Sequence, residues 1–189
     1  MKDVRLSTNR LLIRDLPPRF GNAAARFHTE NRHFHQRWEP NRPEPYFTAA
    51  AQRRILAGER RATDILHLWI FELPQAIVRP SAPVGSITIS GIIRGFFQSA
   101  YLGYKLDSRH TRRGYMREAL CAVVNHAFTE MGLHRLEANI MPANDRSLKL
   151  VAGLGFCEEG RSRRYLKIRG DWEDHLHLVM LSEQWRGCK

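Results

Sequence analysis

The chain has 189 residues, enough for one globular domain that buries a core without disulfides or a structural metal. Its formal charge of +11 at pH 7 implies a polyanionic partner: nucleic acid, an anionic membrane or a phosphorylated cofactor. Cys121, Cys157 and Cys188 lie far apart without a C-x-x-C pair, which argues against a disulfide framework or a zinc ribbon, and no apolar run nears the ~18 residues of a membrane span.

The start, "MKDVRLSTNRLLIRD", carries charge where a signal peptide needs an apolar stretch, so a soluble, cytoplasmic protein is expected. Residues 10–16, "RLLIRDL", alternate apolar and charged side chains as a strand does, and Pro17 and Pro18 stop it. "GNAAARFHTENRHFHQRWEP" predicts a broken helix, "EPNRPEPYF" a loop, and "TAAAQRRILAGER" a second helix capped by Thr48. Residues 65–73 and 83–93 are rich in β-formers and predict two successive antiparallel strands across the proline-bearing "PQAIVRPSAP". Residues 99–106, "SAYLGYKL", add another strand.

From Met116 onward, Leu120, Val123, Val124, Ala127, Phe128 and Met131 recur at helical spacing, giving one apolar face that Gly132 ends. Residues 134–141 predict a strand, "NDRSLKLVAGLGF" a short helix capped by Asn144 and closed at Gly155, and two strands finish the chain. That order is α+β, in a single domain over residues 1–189.

Two stretches carry chemistry. In "DSRHTRRGYMREAL" a helix starts at "TRRGYM"; its leading N–H groups lack intrahelical partners and the macrodipole adds positive charge, so a phosphate is stabilised there. Gly114 admits close approach to the backbone, and the arginines add charge-assisted contacts; a basic, solvated turn is the alternative. In "NDRS", Asn144 is a helix cap on its own terms.

Taken together with "TNRLLIR", "YLGYKL", "GLGFCEEG" and "DHLHLVML", these stretches resemble the GCN5-related N-acetyltransferases, and within them the bacterial ribosomal-protein alanine N-acetyltransferases of the RimJ type. The resemblance implies a GNAT fold: a mixed, mostly antiparallel sheet with flanking helices, splayed between its fourth and fifth strands to admit acetyl-CoA. The family's pyrophosphate signature, Q/R-x-x-G-x-G/A, falls on Thr111, Arg112, Arg113, Gly114, Tyr115 and Met116. Gly114 matches; Thr111 and Met116 depart from the pattern, which leaves backbone N–H groups, with Arg112 or Arg113, to bind the pyrophosphate. The resemblance also puts Leu106 beside the pantetheine arm, its N–H aimed at the thioester carbonyl, and Asn144 on the pantetheine.

Some relatives carry a glutamate on the fifth strand and a tyrosine on the next helix to move protons; Asn139 and Val151 stand there. Glu137, two residues earlier on the same strand face, is the substitute, holding a water that acts as base; an ion pair with Arg135 or Arg161 is the alternative. Ser147 aligns with a serine proposed as proton donor to the leaving sulfur, and Tyr104 and Tyr115 are further donors. "HFH" at 33–35 and "HLH" at 175–177 would put paired imidazoles on strand faces, yet no third ligand is spaced to complete a metal site.

The expected activity is acetyl transfer from acetyl-CoA, without metal, to a protein N-terminus, an alanine of a small-subunit ribosomal protein. Ribosomal RNA would draw in the basic surface, and Glu30, Glu39, Glu44 and Glu137 would supply acid to the acceptor. Alternatives are a small-amine acetyltransferase, decided by the groove at residues 27–46, and a nucleic-acid-binding protein without catalysis.

Overall fold

The computed structural model describes residues 3–73 and 82–188, so most of the proline-bearing connection at 74–83 lies outside the described residues. Its strands are β1 (Arg5–Ser7), β2 (Leu11–Arg14), β3 (Ile65–Glu72), β4 (Gly85–Ile93), β5 (Ser99–Leu106), β6 (Arg135–Ile140), β7 (Cys157–Ile168) and β8 (Asp171–Leu181). The helices are α1 (Gly21–Glu30), α2 (Arg32–His35), α3 (Ala49–Arg61), α4 (Tyr115–Thr129) and α5 (Asp145–Ala152). The strands form one sheet in the order β1-β2-β3-β4-β5-β6-β8-β7, antiparallel throughout except for β5 beside β6.

Alternation along the strands divides the core between two faces. Leu66, Leu68 and Ile70 of β3 join Leu11, Ile13 and the α4 side chains Ala119, Leu120, Val123 and Val124. The intervening Trp69 and Phe71 join Leu12, Ala24, Phe27 and Leu56, so α1 and α3 cover the opposite face. The helix caps follow the sequence: Thr48 Oγ1 accepts from the Ala51 N–H and Asn144 Oδ1 from the Ser147 N–H, each at 3.3 Å.

β5 and β6 pair only from Ser99↔Arg135 to Tyr101↔Glu137; beyond that β5 runs on to Leu106 and β6 to Ile140 without a ladder between them. This is the opening expected between the fourth and fifth strands; the count shifts by one because a short strand, β1, precedes the predicted first strand, β2, and pairs with it. β1 is three residues long and mostly exposed, so it leaves no apolar alternation to read.

The cysteine expectation is corrected at one pair: Cys121 and Cys188 are disulfide-bonded, and Cys157 is free and exposed. Wide spacing misleads here because the C-terminal segment folds back along α4. Trp185 packs on Phe128, with ring centroids 6.4 Å apart, and its indole N–H donates to Asn125 Oδ1 at 3.4 Å. Closing a loop of 67 residues restricts the unfolded chain. Cys188→Ser is expected to cost about 2 kcal/mol and to lower Tm by about 5 °C in a non-reducing thermal melt, with no further drop on adding reductant.

Candidate active site

Gly114 is the N-cap residue of α4, at φ 77°, and no side-chain hydrogen bond caps that helix. Its leading N–H groups therefore point outward with the positive end of the dipole. Arg112 also has left-handed backbone, at φ 63°, so "TRRG" folds into a tight turn, and a Cβ on Gly114 would stand 3.4 Å from Arg10 Nη2.

Arg10 supports this turn from below. Its Nε donates to Glu118 Oε2 at 2.7 Å, its Nη1 donates to the Arg113 carbonyl at 3.0 Å, and its guanidinium lies 4.8 Å from the Tyr115 ring centroid. Thr8 Oγ1 donates to the other oxygen of Glu118 at 2.6 Å, so the β1–β2 hairpin anchors the first turn of α4. Sequence reading missed Arg10 and Glu118, since a strand-edge arginine and a helical glutamate are ordinary surface residues until the fold brings them together.

The signature positions divide by role. Thr111 Oγ1 donates to the Ser108 carbonyl at 3.1 Å and is spent on the turn. Tyr115 and Met116 are each 7% exposed: Tyr115 donates its hydroxyl to Glu72 and Met116 packs in the core. The side chains of these two are thus turned into the fold, whereas Arg112 and Arg113 are exposed.

On β5, the Asp107 N–H donates to the Val84 carbonyl at 2.8 Å. Strand alternation therefore turns the Leu106 N–H and carbonyl the other way, toward the opening. His35 Nε2 lies 2.8 Å from the Leu106 carbonyl, a bond that α2 alone makes possible and that sequence spacing did not announce. Across the opening, the Tyr104 hydroxyl donates to the Ser147 carbonyl at 3.3 Å. Burial pushes Tyr104 up to about 12, so the phenol stays protonated. Asn144 caps α5 directly beside it, which brings Leu106, Tyr104, Asn144 and Ser147 to the two walls of one cleft.

Glu137 faces the α1 side, because its neighbours Leu136 and Ala138 are in the α4 cluster. Its Oε2 accepts from Arg135 Nη2 at 2.9 Å and its Oε1 lies 2.9 Å from His177 Nδ1. Burial raises the Glu137 pKa, but the bonds from Arg135 and His177 prevail and hold the carboxyl below its ordinary range. Arg161 is engaged by Asp174 instead.

A cavity of about 300 Å³ opens beside α2, lined by His28, Arg32, His35, Glu39, Arg42 and Tyr46. The acidic residues expected to meet an acceptor are already paired: Glu30 with Arg26 and Arg109, Glu39 with Lys105, Glu44 with Arg32. Of these carboxylates only Glu39 lines the cavity, where Arg32 and Arg42 stand beside it. His33 and His35 sit on a helix rather than a strand, and among the described residues no group of His, Cys, Asp or Glu is placed to hold a metal.

Burial lowers His28 from 6.5 to about 2, with Lys105 and neighbouring imidazoles adding to the effect. A depressed pKa makes its stabilisation fully present above the unfolded value of ~6.5 and lost below it, as the unfolded chain takes up a proton that the folded chain refuses. His28 by itself is expected to contribute a fall in unfolding free energy of about 1.4 kcal/mol per pH unit below that point, read from urea midpoints, and His28→Gln should reduce the slope by that amount while His35, His126 and His175 keep theirs.

A splayed sheet with an uncapped helix start facing its opening defines a class, and comparison agrees with it: residues 10–157 match the acetyltransferase (GNAT) domain, and the chain belongs to that family of acetyltransferases. Among its relatives, the ribosomal protein uS5-alanine N-acetyltransferase of Escherichia coli K12 is 34% identical over 185 residues, 96% of this chain and 93% of that one. The crystal structure of the ribosomal-protein-S5-alanine acetyltransferase of Vibrio fischeri matches with a TM-score of 0.88 and 28% identity, covering 97% of this chain and all of that one. Mycobacterium smegmatis RimJ in complex with CoA-disulfide matches at TM-score 0.84 and 30% identity, covering 92% and 83%. No helix among the described residues is long and apolar enough to cross a membrane.

Proposed function

We propose that this acetyltransferase moves the acetyl group of acetyl-CoA to the N-terminal α-amine of a protein, an alanine of a small-subunit ribosomal protein, by direct attack of the amine on the thioester. The observation that carries the cosubstrate is the uncapped start of α4 at Gly114, set at the mouth of the β5–β6 opening. The pyrophosphate lies on those N–H groups with Arg112 and Arg113 beside it, and the pantetheine runs along β5 as an added strand. The Leu106 N–H then stabilises the developing oxyanion.

Asn144 bonds the pantetheine amide, and Ser147 or Tyr104 returns a proton to the departing sulfur. The acceptor reading draws on likeness to the ribosomal-protein alanine acetyltransferases and on chemistry. An α-amine with pKa near ~7.7 to 8.0 needs a weaker base than a lysine near ~10.4, which suits a site whose carboxylates are ion-paired. With a charge of +11 the enzyme gains from ribosomal RNA near its substrate.

The test is acetyl-CoA turnover against alanine- and serine-starting peptides, intact ribosomal proteins and polyamines, read by thiol release and mass spectrometry. One acetyl on an N-terminal residue is the expected product. Transfer to small amines alone would overturn the acceptor, and absence of acetyl-CoA binding in calorimetry would overturn the whole reading. Binding to ribosomal particles should weaken steeply with salt; insensitivity would remove the RNA contact.

A further inference from the structure

Glu137, His177 and Ser162 stand in line across β6, β8 and β7, on the sheet face opposite α4. His177 Nδ1 is 2.9 Å from Glu137 Oε1, and His177 Nε2 is 2.7 Å from Ser162 Oγ. One end of the line is the closed end of the opening, since Tyr101↔Glu137 is the last pair of β5 and β6. The other end is half-buried Ser162 on the edge strand β7, next to solvent.

Acetylating an ammonium group leaves one proton over. The nitrogen sheds a proton to become a nucleophile; the nitrogen–carbon bond then forms, the carbon–sulfur bond breaks, and a second nitrogen proton goes to the sulfur. The first proton must leave the cleft.

We propose that Glu137, His177 and Ser162 form a wire that carries this surplus proton from the acceptor amine to solvent at the β7 edge. The relay runs in the tautomer of His177 that carries its proton on Nε2: the amine, or a water beside it, protonates Glu137, Glu137 passes a proton to Nδ1, Nε2 passes its own to Ser162 Oγ, and the hydroxyl releases its own outward; this leaves Nδ1–H donating to the Glu137 carboxylate, and the imidazole returns its proton to Nε2 before the next turnover. The wire rests on the acetyl-transfer reading above and extends it from the acceptor to the far edge of the sheet.

The surroundings keep Glu137 ionised at rest, as a proton acceptor must be, and cushion its transient protonation. Arg135 bridges Glu137 at 2.9 Å and Glu159 at 2.7 Å, so neutralising Glu137 leaves the guanidinium a carboxylate partner. The Tyr165 ring meets His177 edge-on at 5.2 Å and also touches His175 at 5.4 Å, while its hydroxyl accepts from Asn139 Nδ2 at 3.1 Å. Arg161 is occupied by Asp174 and adds no unpaired charge. His177 and Ser162 act through Glu137 and are positioning residues, so the test must read proton transfer.

Turnover of the wild type, His177→Gln and Ser162→Ala is compared from about pH 6 to about pH 9.5, on an amine that the wild type acetylates. Near the acid end, where the amine arrives protonated, kcat should fall about thirtyfold for His177→Gln and about fivefold for Ser162→Ala, with the KM for acetyl-CoA unchanged. Near the basic end both should come within about twofold of wild type, because the amine arrives neutral. A loss equal at every pH, or no loss in either variant, overturns the wire. Ser162→Ala, on the edge strand, carries the test by itself if His177→Gln does not fold. Wild-type inactivity on every amine overturns acetyl transfer and the wire together; wild-type transfer with a pH-independent variant ratio overturns the wire alone.

Discussion

Replacing Gly114 with valine is expected to raise the KM for acetyl-CoA about a hundredfold, with kcat within about threefold of wild type. Two effects combine. Gly114 sits at φ 77°, where a side chain costs about 1–2 kcal/mol and a β-branched one is worse served still, so the unliganded variant relaxes out of this turn and must repay that cost to bind. The added carbons also crowd Arg10 Nη2, 3.4 Å from the Cβ position, and the space over the first N–H groups of α4, so about 1.5 kcal/mol or more of charge-assisted hydrogen bonding to the pyrophosphate is lost. Together these approach 3 kcal/mol, or about two powers of ten in binding. Gly114→Ala keeps the space and should show the strain alone, about tenfold. Gly95→Val is the control: its φ of 70° carries equal strain, nothing lies within 4 Å, and it sits in the β4–β5 turn, away from the opening. Initial rates at saturating acceptor decide the matter; an unchanged KM in Gly114→Val removes the cofactor cradle from α4.

The contrast between Gly114 and Arg10 shows which parts of this protein can be read from sequence. Gly114 announces itself locally, since a glycine directly before an apolar periodicity of 3.6 residues marks a helix start whose backbone a ligand can approach. The helix face from Met116 to Ala127, the Thr48 and Asn144 caps and the β5 boundaries are local in the same sense, and the structure has them as read. Arg10 acts 103 residues away on the Arg113 carbonyl, and His35 acts 71 residues away on Leu106. Neither has a local signature, because each depends on which faces the sheet brings together. Glu137 was identifiable as a polar residue on the open face of its strand, but its tie to His177 follows from β8 lying between β6 and β7. The same non-locality hid the Cys121–Cys188 bond, which depends on Trp185 finding Phe128.

Asp107→Ala is expected to destabilise the protein by about 3 kcal/mol and to raise the KM for acetyl-CoA about tenfold. Asp107 is 2% exposed, immediately after Leu106, and the end of α1 and the turn before α4 converge on it. Its Oδ1 accepts from the Arg109 N–H at 2.8 Å and from Arg109 Nε at 3.0 Å; its Oδ2 accepts from Arg109 Nη2 at 2.6 Å and from Asn31 Nδ2 at 3.2 Å. Asn31 in turn accepts the Ser108 N–H at 2.9 Å, so the end of α1 and the turn leading to Gly114 are fastened through one carboxylate. Burial raises the Asp107 pKa, yet the bonds from Arg109, Asn31 and His110 outweigh it and hold the group well below the ordinary carboxylate range. Removing the carboxylate leaves Asn31, 1% exposed, without that acceptor, while Arg109 is open enough to regain water, which keeps the cost near that of one or two charge-assisted bonds rather than that of a stranded buried charge. A depressed pKa contributes stability above the unfolded value of ~3.9 and loses it as pH falls through the folded value. The difference in urea midpoint between wild type and Asp107→Ala should therefore stay constant from pH ~7 to ~4 and narrow below that, while the His28 slope, common to both proteins, cancels. The KM effect separates this role from mere stability: at a temperature where both proteins are fully folded, a variant with normal acetyl-CoA KM would show that Asp107 holds the core but not the cofactor turn.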